Sequence, residues 1–96
     1  MYKEITANNI VDGESAFTTK CEMPSICPRC HTAVDAKIID SRFVNDGYSS
    51  VVKLFVTYFC PACEHIFWGQ YLSVNGQVPT EQSFIPQNPF ENLVNQ

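Results

Sequence analysis

The fold is decided by two short stretches, "CPRCH" at residues 27–31 and "CPACEH" at residues 60–65. A tight turn between two cysteines three positions apart directs both sulfurs to the same side, and two such turns supply the four thiolates of a closed tetrahedral zinc site. Twenty-nine residues separate the two pairs, which suits a β-hairpin whose ends return to one place. We predict that one zinc ion is held by four ligands: Cys27, Cys30, Cys60 and Cys63.

Other uses of the cysteines fit the sequence less well. A disulfide framework needs an oxidising compartment, but Lys3, Glu4 and Asp12 interrupt any signal peptide, and five cysteines cannot all pair. A rubredoxin-like iron centre often has Gly after each second cysteine, where this chain has His31 and Glu64. A thioredoxin-like site begins a helix, whereas an aromatic strand pattern follows the second pair. We expect a cytoplasmic zinc protein, with an iron electron carrier as an alternative.

The residues between and after the cysteine pairs have strand patterns. Residues 33–44 alternate imperfectly, an Asp-Gly turn follows at 45–48, and residues 49–59 alternate strongly. Residues 66–74 add a strand of aromatic and β-branched residues. This order predicts a small, mainly-β, metal-stabilised fold, in which a three-stranded antiparallel sheet carries both cysteine turns at one end.

Three parts of the chain differ in composition. Residues 1–20 are polar and mixed, which predicts an irregular N-terminal arm or an extra strand. Residues 21–77 contain the predicted metal-binding unit. Residues 78–96 carry three prolines and predict an irregular linker and tail, with a helix starting at Asn88 or a frayed end as the alternatives. A helix that starts so close to the end indicates part of a larger protein or assembly.

The two Cys-Pro-x-Cys segments around a predicted hairpin resemble a zinc ribbon. Over residues 24–94 the layout is similar to the amino-terminal ribbon of a bacterial family of unknown function. Members of that family carry such a ribbon, a Pro-containing link and a helical domain, and some are attached to restriction-type proteins. The resemblance implies a structural zinc ribbon next to a helical domain, and it implies no activity. His31 and Glu64 replace the Gly that is common after the second cysteine, at a position that tends towards positive φ.

Three further residues could reach the metal: His31, His65 and Cys21. Because four cysteines are already spaced for one ion, we expect both histidines beside the site or in solvent. Cys21 has no partner at the same spacing, and we expect it to be a small buried side chain or a spare thiol.

Charge and the closed metal shell limit the function. The formal net charge is −4, and residues 21–77 contain four basic and five acidic side chains, which disfavours nucleic acid as a partner and leaves it as the alternative. Four thiolates leave no coordination position for water, and no catalytic arrangement of side chains can be recognised, so we do not expect an enzyme.

Aromatic side chains on residues 66–74 indicate an interaction surface. A three-stranded sheet would leave one face uncovered, and we predict that Phe67, Trp68 and Tyr71 contact a protein partner or a helical domain of the same protein. Apolar runs are far shorter than the roughly 20 residues of a membrane-spanning helix, so we expect no membrane partner. The sequence therefore predicts a zinc-binding structural or protein-interaction module.

Overall fold

The strands of this protein form one curled sheet. The computed structural model describes residues 2–11, 13–45, 51–75, 77–79 and 81–88. Over these residues the strands are, in chain order, β1 (Tyr2–Asn9), β2 (Ala16–Glu22), β3 (Lys37–Asn45), β4 (Val51–Cys60), β5 (His65–Val74) and β6 (Glu81–Ile85). Their order in the sheet is β2-β1-β3-β4-β5-β6, with β1 parallel to β3 and all other neighbours antiparallel. The mainly-β prediction is confirmed, but the three-stranded antiparallel sheet is wrong.

The hairpin of β4 and β5 forms the centre of the core. Every second residue of β4 from 52 to 60 and of β5 from 67 to 73 is buried. The two strands pair along their whole length, and the rings of Tyr58 and Phe67 stack with centroids 5.4 Å apart. Because successive side chains of a strand point to opposite faces, each strand gives one face to the core and the other to the outside.

The N-terminal residues, for which an irregular arm or an extra strand was predicted, form a hairpin of two strands. Strands β1 and β2 pair antiparallel along nearly their whole length, and Asn8 and Asn9 continue into a short parallel pairing with β3. The inward positions of this hairpin include Ala7, Thr19 and Cys21, which are all buried. Apart from Ile5, these buried positions hold small side chains, so the hairpin carries only a weak apolar signal in the sequence.

The C-terminal segment also contributes a strand where an irregular tail was expected. Strand β6 pairs with β5, and its Phe84 packs edge-on against Tyr58 and Tyr71, with ring centroids 6.3 and 6.0 Å apart. The predicted helix of residues 88–96 lies outside the described residues except for Asn88. Among the described residues, no helix is long and apolar enough to cross a membrane.

A hydrogen-bond network brings the two edge strands of the sheet together. The hydroxyl of Tyr58 lies 2.6 Å from that of Tyr71, which donates to the backbone carbonyl of Glu22 at 3.0 Å. The side-chain amide of Gln82 donates to the Glu22 carboxylate at 3.1 Å. Gly69 makes room for the two rings, because a Cβ there would lie 2.9 Å from each. Since Glu22 ends β2 and Gln82 lies on β6, these bonds join the two edges of the curled sheet and stabilise its curvature.

We predict that Tyr71→Phe destabilises the fold more than Tyr58→Phe. Burial raises the pKa of Tyr58 to about 12, so its hydroxyl stays protonated at neutral pH. Tyr71→Phe leaves this hydroxyl and the Glu22 carbonyl without their partner, and an unsatisfied buried group costs about 1–3 kcal/mol. Tyr58→Phe keeps the bond from Tyr71 to Glu22 and should cost about 1 kcal/mol. Urea unfolding measures both values.

The double variant Tyr58→Phe/Tyr71→Phe provides the control. It should cost less than the sum of the single changes, because it removes both members of the hydroxyl pair and leaves no buried Tyr58 hydroxyl unsatisfied. Equal losses in the two single variants, or simple additivity in the double variant, would contradict the network.

Candidate metal centre

The first cysteine turn lies in the connection between β2 and β3. The backbone N–H of Cys27 donates to the carbonyl of Thr32 at 3.0 Å, and that of His31 donates to the carbonyl of Cys27 at 2.9 Å. The backbone N–H of Arg29 lies 3.4 Å from the Cys27 sulfur. These bonds close the chain tightly around Cys27 and Cys30, so both sulfurs project from the same turn.

The second cysteine turn joins β4 directly to β5. Cys60 is the last residue of β4 and lies opposite His65, the first residue of β5. The backbone N–H of Glu64 donates to the carbonyl of Cys60 at 2.8 Å. The hairpin register therefore sets the position of Cys60, and the turn brings Cys63 beside it.

The residue after each second cysteine adopts the left-handed conformation. His31 has a φ of 60° and Glu64 a φ of 59°. This confirms the positive φ expected at these positions, where Gly is common in such turns. Both side chains bear the conformational cost of a non-glycine residue in this region. Two independent turns therefore share the same backbone shape around a Cys-Pro-x-Cys segment.

The two turns meet at their sulfurs. The Sγ atoms of Cys27, Cys30, Cys60 and Cys63 all lie within 4.8 Å of one another. The Sγ atoms of Cys27 and Cys63 are 3.8 Å apart, and those of Cys30 and Cys60 are also 3.8 Å apart. A tetrahedral ion with metal–sulfur bonds of about 2.3 Å requires sulfur separations of about 3.8 Å. The four cysteines therefore have the spacing of a metal site, and each short distance joins one turn to the other.

The site has a buried side and an accessible side. Cys27 and Cys60 are fully buried and belong to the hydrophobic core. Cys30 and Cys63 are half-buried and pack against that core. The second cysteine of each turn thus lies nearer the surface, while the first anchors the turn in the interior.

The ionisation of the two outer cysteines differs. The side-chain and backbone hydrogen bonds of Thr32 lower the pKa of Cys30 to about 6, and the Thr32 hydroxyl lies 2.8 Å from its sulfur. Desolvation, followed by the hydrogen bond with Cys60, raises the pKa of Cys63 to about 12. The Cys63 thiol therefore resists deprotonation, and a coordinating cation would overcome this, because a cation deprotonates a ligating thiol. The sequence patterns did not identify Thr32 as part of the site, although it lies only two residues after Cys30.

The other residues considered as ligands lie apart from the sulfur cluster. His31 and His65 are exposed, and the group of possible metal ligands found among the described residues contains the four cysteines alone. Cys21 is buried in the core, and desolvation raises the pKa of its thiol to about 11. Cys21 therefore packs as a neutral, small side chain.

The three aromatic residues predicted to form an interaction surface do not share a face. Phe67 and Tyr71 are each 1% exposed and point into the core. Trp68 lies between them in the sequence and points outward, where it is half-buried. The period of two along β5 places Trp68 on the face opposite the other two rings, so Trp68 is the only one of the three that is partly exposed.

Comparisons with known proteins identify no relative of this chain. Neither a family model, nor a curated protein, nor a solved structure matches this chain. The resemblance to a zinc ribbon is therefore carried by the four convergent cysteines and their turns, and the narrower resemblance to one bacterial family gains no support.

Proposed function

We propose that Cys27, Cys30, Cys60 and Cys63 hold one zinc ion and that this ion is a structural part of the fold. The observation that carries the proposal is the cluster of four sulfurs, with its two 3.8 Å separations between the turns. Four thiolates at tetrahedral spacing form the closed shell typical of structural zinc. The protein would then be a metal-stabilised binding module.

A structural role fits the donor set and its place in the fold better than catalysis. Four cysteines occupy all positions of a tetrahedral ion, and a catalytic zinc keeps one position for water or substrate. The ion would join the connection between β2 and β3 to the turn between β4 and β5, with Cys27 and Cys60 anchored in the core. We propose no enzymatic activity for this site.

Iron is the competing ion, because a tetrahedral set of four sulfurs also suits iron. Zinc is preferred because both turns sit at the ends of β-strands or their connections in a mainly-β chain, as in zinc ribbons. We expect one equivalent of zinc per chain after purification without added metal, measured by elemental analysis. The protein should be colourless, since zinc has no visible ligand-field bands. One equivalent of iron with visible absorbance, or no retained metal, would refute the assignment.

We also predict that zinc supplies much of the folding free energy. Binding at structural zinc sites contributes on the order of 10 kcal/mol, which exceeds the stability expected of so small a core. Cys60→Ser should therefore lose both the metal and the cooperative thermal transition seen by circular dichroism. This substitution removes one anchored ligand from a shell that has no spare donor.

Cys21→Ser provides the matched control, because it makes the same chemical change at a buried cysteine outside the cluster. It should keep one equivalent of metal and a cooperative transition, with a loss of about 1–3 kcal/mol for burying a hydroxyl. A Cys60→Ser protein that melts like the wild type, or a Cys21→Ser protein that loses its metal, would count against a structural ion at this site.

A further inference from the structure

The outer surface of β3, β4 and β5 carries residues that the metal centre does not use. We define the outward face as the side chains that alternate away from the core on these three strands. The pairing of the strands arranges these side chains in rows across the sheet. The rows are Val44–Lys53–Leu72, Arg42–Phe55–Gln70, Asp40–Thr57–Trp68 and Lys37–Phe59–Ile66.

Aromatic side chains occupy three consecutive rows of the outward face: Phe55, Trp68 and Phe59. Successive rows are two residues apart along a strand, which is about 6.8 Å. This spacing is about twice the 3.4 Å rise between stacked bases of a duplex strand. Trp68 and Phe59 are half-buried, whereas Phe55 is 7% exposed and lies deeper. Bases that reach successive rings of this face must therefore be unstacked from one another.

Positive charge gathers on the same face although the chain as a whole is acidic. Lys37, Arg42 and Lys53 all lie in these rows, together with one acidic residue, Asp40. Arg42 is held by Asp40 at 2.8 Å. Lys37 and Lys53 have no ion-pair partner within the part of the chain that the structure describes. Lys53 lies in the first of the four rows and Lys37 in the last. The strand register creates this arrangement, which cannot be seen from composition.

A cleft of about 310 Å³ opens on the outward face where β4, β5 and β6 meet. Its volume lies at the lower end of the range of about 300–1,000 Å³ for small-ligand clefts. Phe55 and Leu72 provide apolar lining, and Lys53, Gln70 and Ser83 add a charge, an amide and a hydroxyl. A single planar base fits these properties, because its face is apolar and its edge carries hydrogen-bonding groups.

We propose that the outward face binds single-stranded nucleic acid. Trp68 and Phe59 would stack on bases, Lys37 and Lys53 would contact phosphates, and the cleft beside Phe55 would receive a base. Stacking rings combined with basic side chains are the means by which single strands are bound without strong sequence preference. A duplex fits less well, because its stacked bases cannot reach the rings. Lys53, in the row next to that of Phe55, and Lys37, in the row of Phe59, favour a polyanion over an apolar protein surface.

The test uses the full metal-loaded chain, in which Trp68 is the only tryptophan. Fluorescein-labelled oligo(dT) and oligo(rU) of about 12 nucleotides cover the site size of a small β-sheet fold. We expect anisotropy of the label and quenching of Trp68 emission to saturate together. Two phosphate contacts to a single strand predict that affinity falls about sevenfold between about 50 and 200 mM salt. A duplex of the same length should bind more weakly than the single strand, by at least about tenfold.

Two double variants carry the same charge change at different places. Lys37→Gln/Lys53→Gln should lower the affinity about tenfold at about 50 mM salt and flatten the salt dependence. Lys3→Gln/Lys20→Gln on β1 and β2 should bind within about twofold of the wild type, since neither lysine lies on the outward face. Trp68→Leu should lower the affinity at least about fivefold, as expected for losing one stacked base.

Zinc content measured on every sample separates this test from the test of the metal site. Absence of binding to both oligonucleotides at about 50 mM salt would overturn the proposal, as would equal losses in the two lysine variants. Unchanged Trp68 emission at saturation would also overturn it. A dimer in light scattering that Trp68→Leu converts to a monomer would instead assign the outward face to a second copy of the chain.

Discussion

The convergence of four cysteine sulfurs is the constraint on which the rest of this structure depends. Two turns that are far apart in the chain must meet with their sulfurs within 4.8 Å. To satisfy this, the connection between β2 and β3 has to reach the end of β4. The intervening β3–β4 hairpin must also return to its starting point. Since Cys27 and Cys60 are fully buried, this meeting point is part of the core and not an attachment to it.

The alternation of side chains on β4 and β5 gives the sheet two different faces. The inward residues build the aromatic core around Tyr58 and Phe67, and they include Cys60 of the metal centre. The outward residues place Trp68 and Phe59 on the same face as basic side chains from β3 and β4. One register thus positions both the sulfur cluster and the outward face, and a shift of one residue would exchange their side chains. The binding face that we propose is a consequence of the same pairing that brings the cysteines together.

Much of the candidate site could be predicted from the sequence, because it depends on local rules. The spacing of Cys27 and Cys30 fixes a turn, and the left-handed conformation of Glu64 follows from its position after the second cysteine. The strong alternation of β4 likewise predicts a strand that ends at its cysteine. The identity of the ion stays a prediction, since a set of four sulfurs suits more than one metal.

The rest of the fold depends on long-range pairings that leave little trace in composition. Ala7 and Thr19 fill inward positions of the β1–β2 hairpin but are not residues that mark a core strand. Strand β6 lies in a segment with several prolines, and its place next to β5 is secured by Phe84. For β5, aromatic residues occur on both faces, so composition could not separate the buried Tyr71 from the outward Trp68. Only the pairing partners decide which side of the sheet each residue takes.

The metal centre and the tyrosine network act on the same parts of the chain with different strengths. Tyr58 lies two residues before Cys60, and Glu22, which accepts the bond from Tyr71, lies five residues before Cys27. The tyrosine bonds hold the end of β2 against the β4–β5 hairpin, and the proposed ion would hold the following connection against the same hairpin. A structural zinc contributes on the order of 10 kcal/mol, whereas a buried hydrogen bond contributes about 1 kcal/mol. If the proposed ion is bound, it would decide whether this closure forms. The tyrosines, which bond only when β2 and β5 are correctly aligned, would decide the alignment in which it forms.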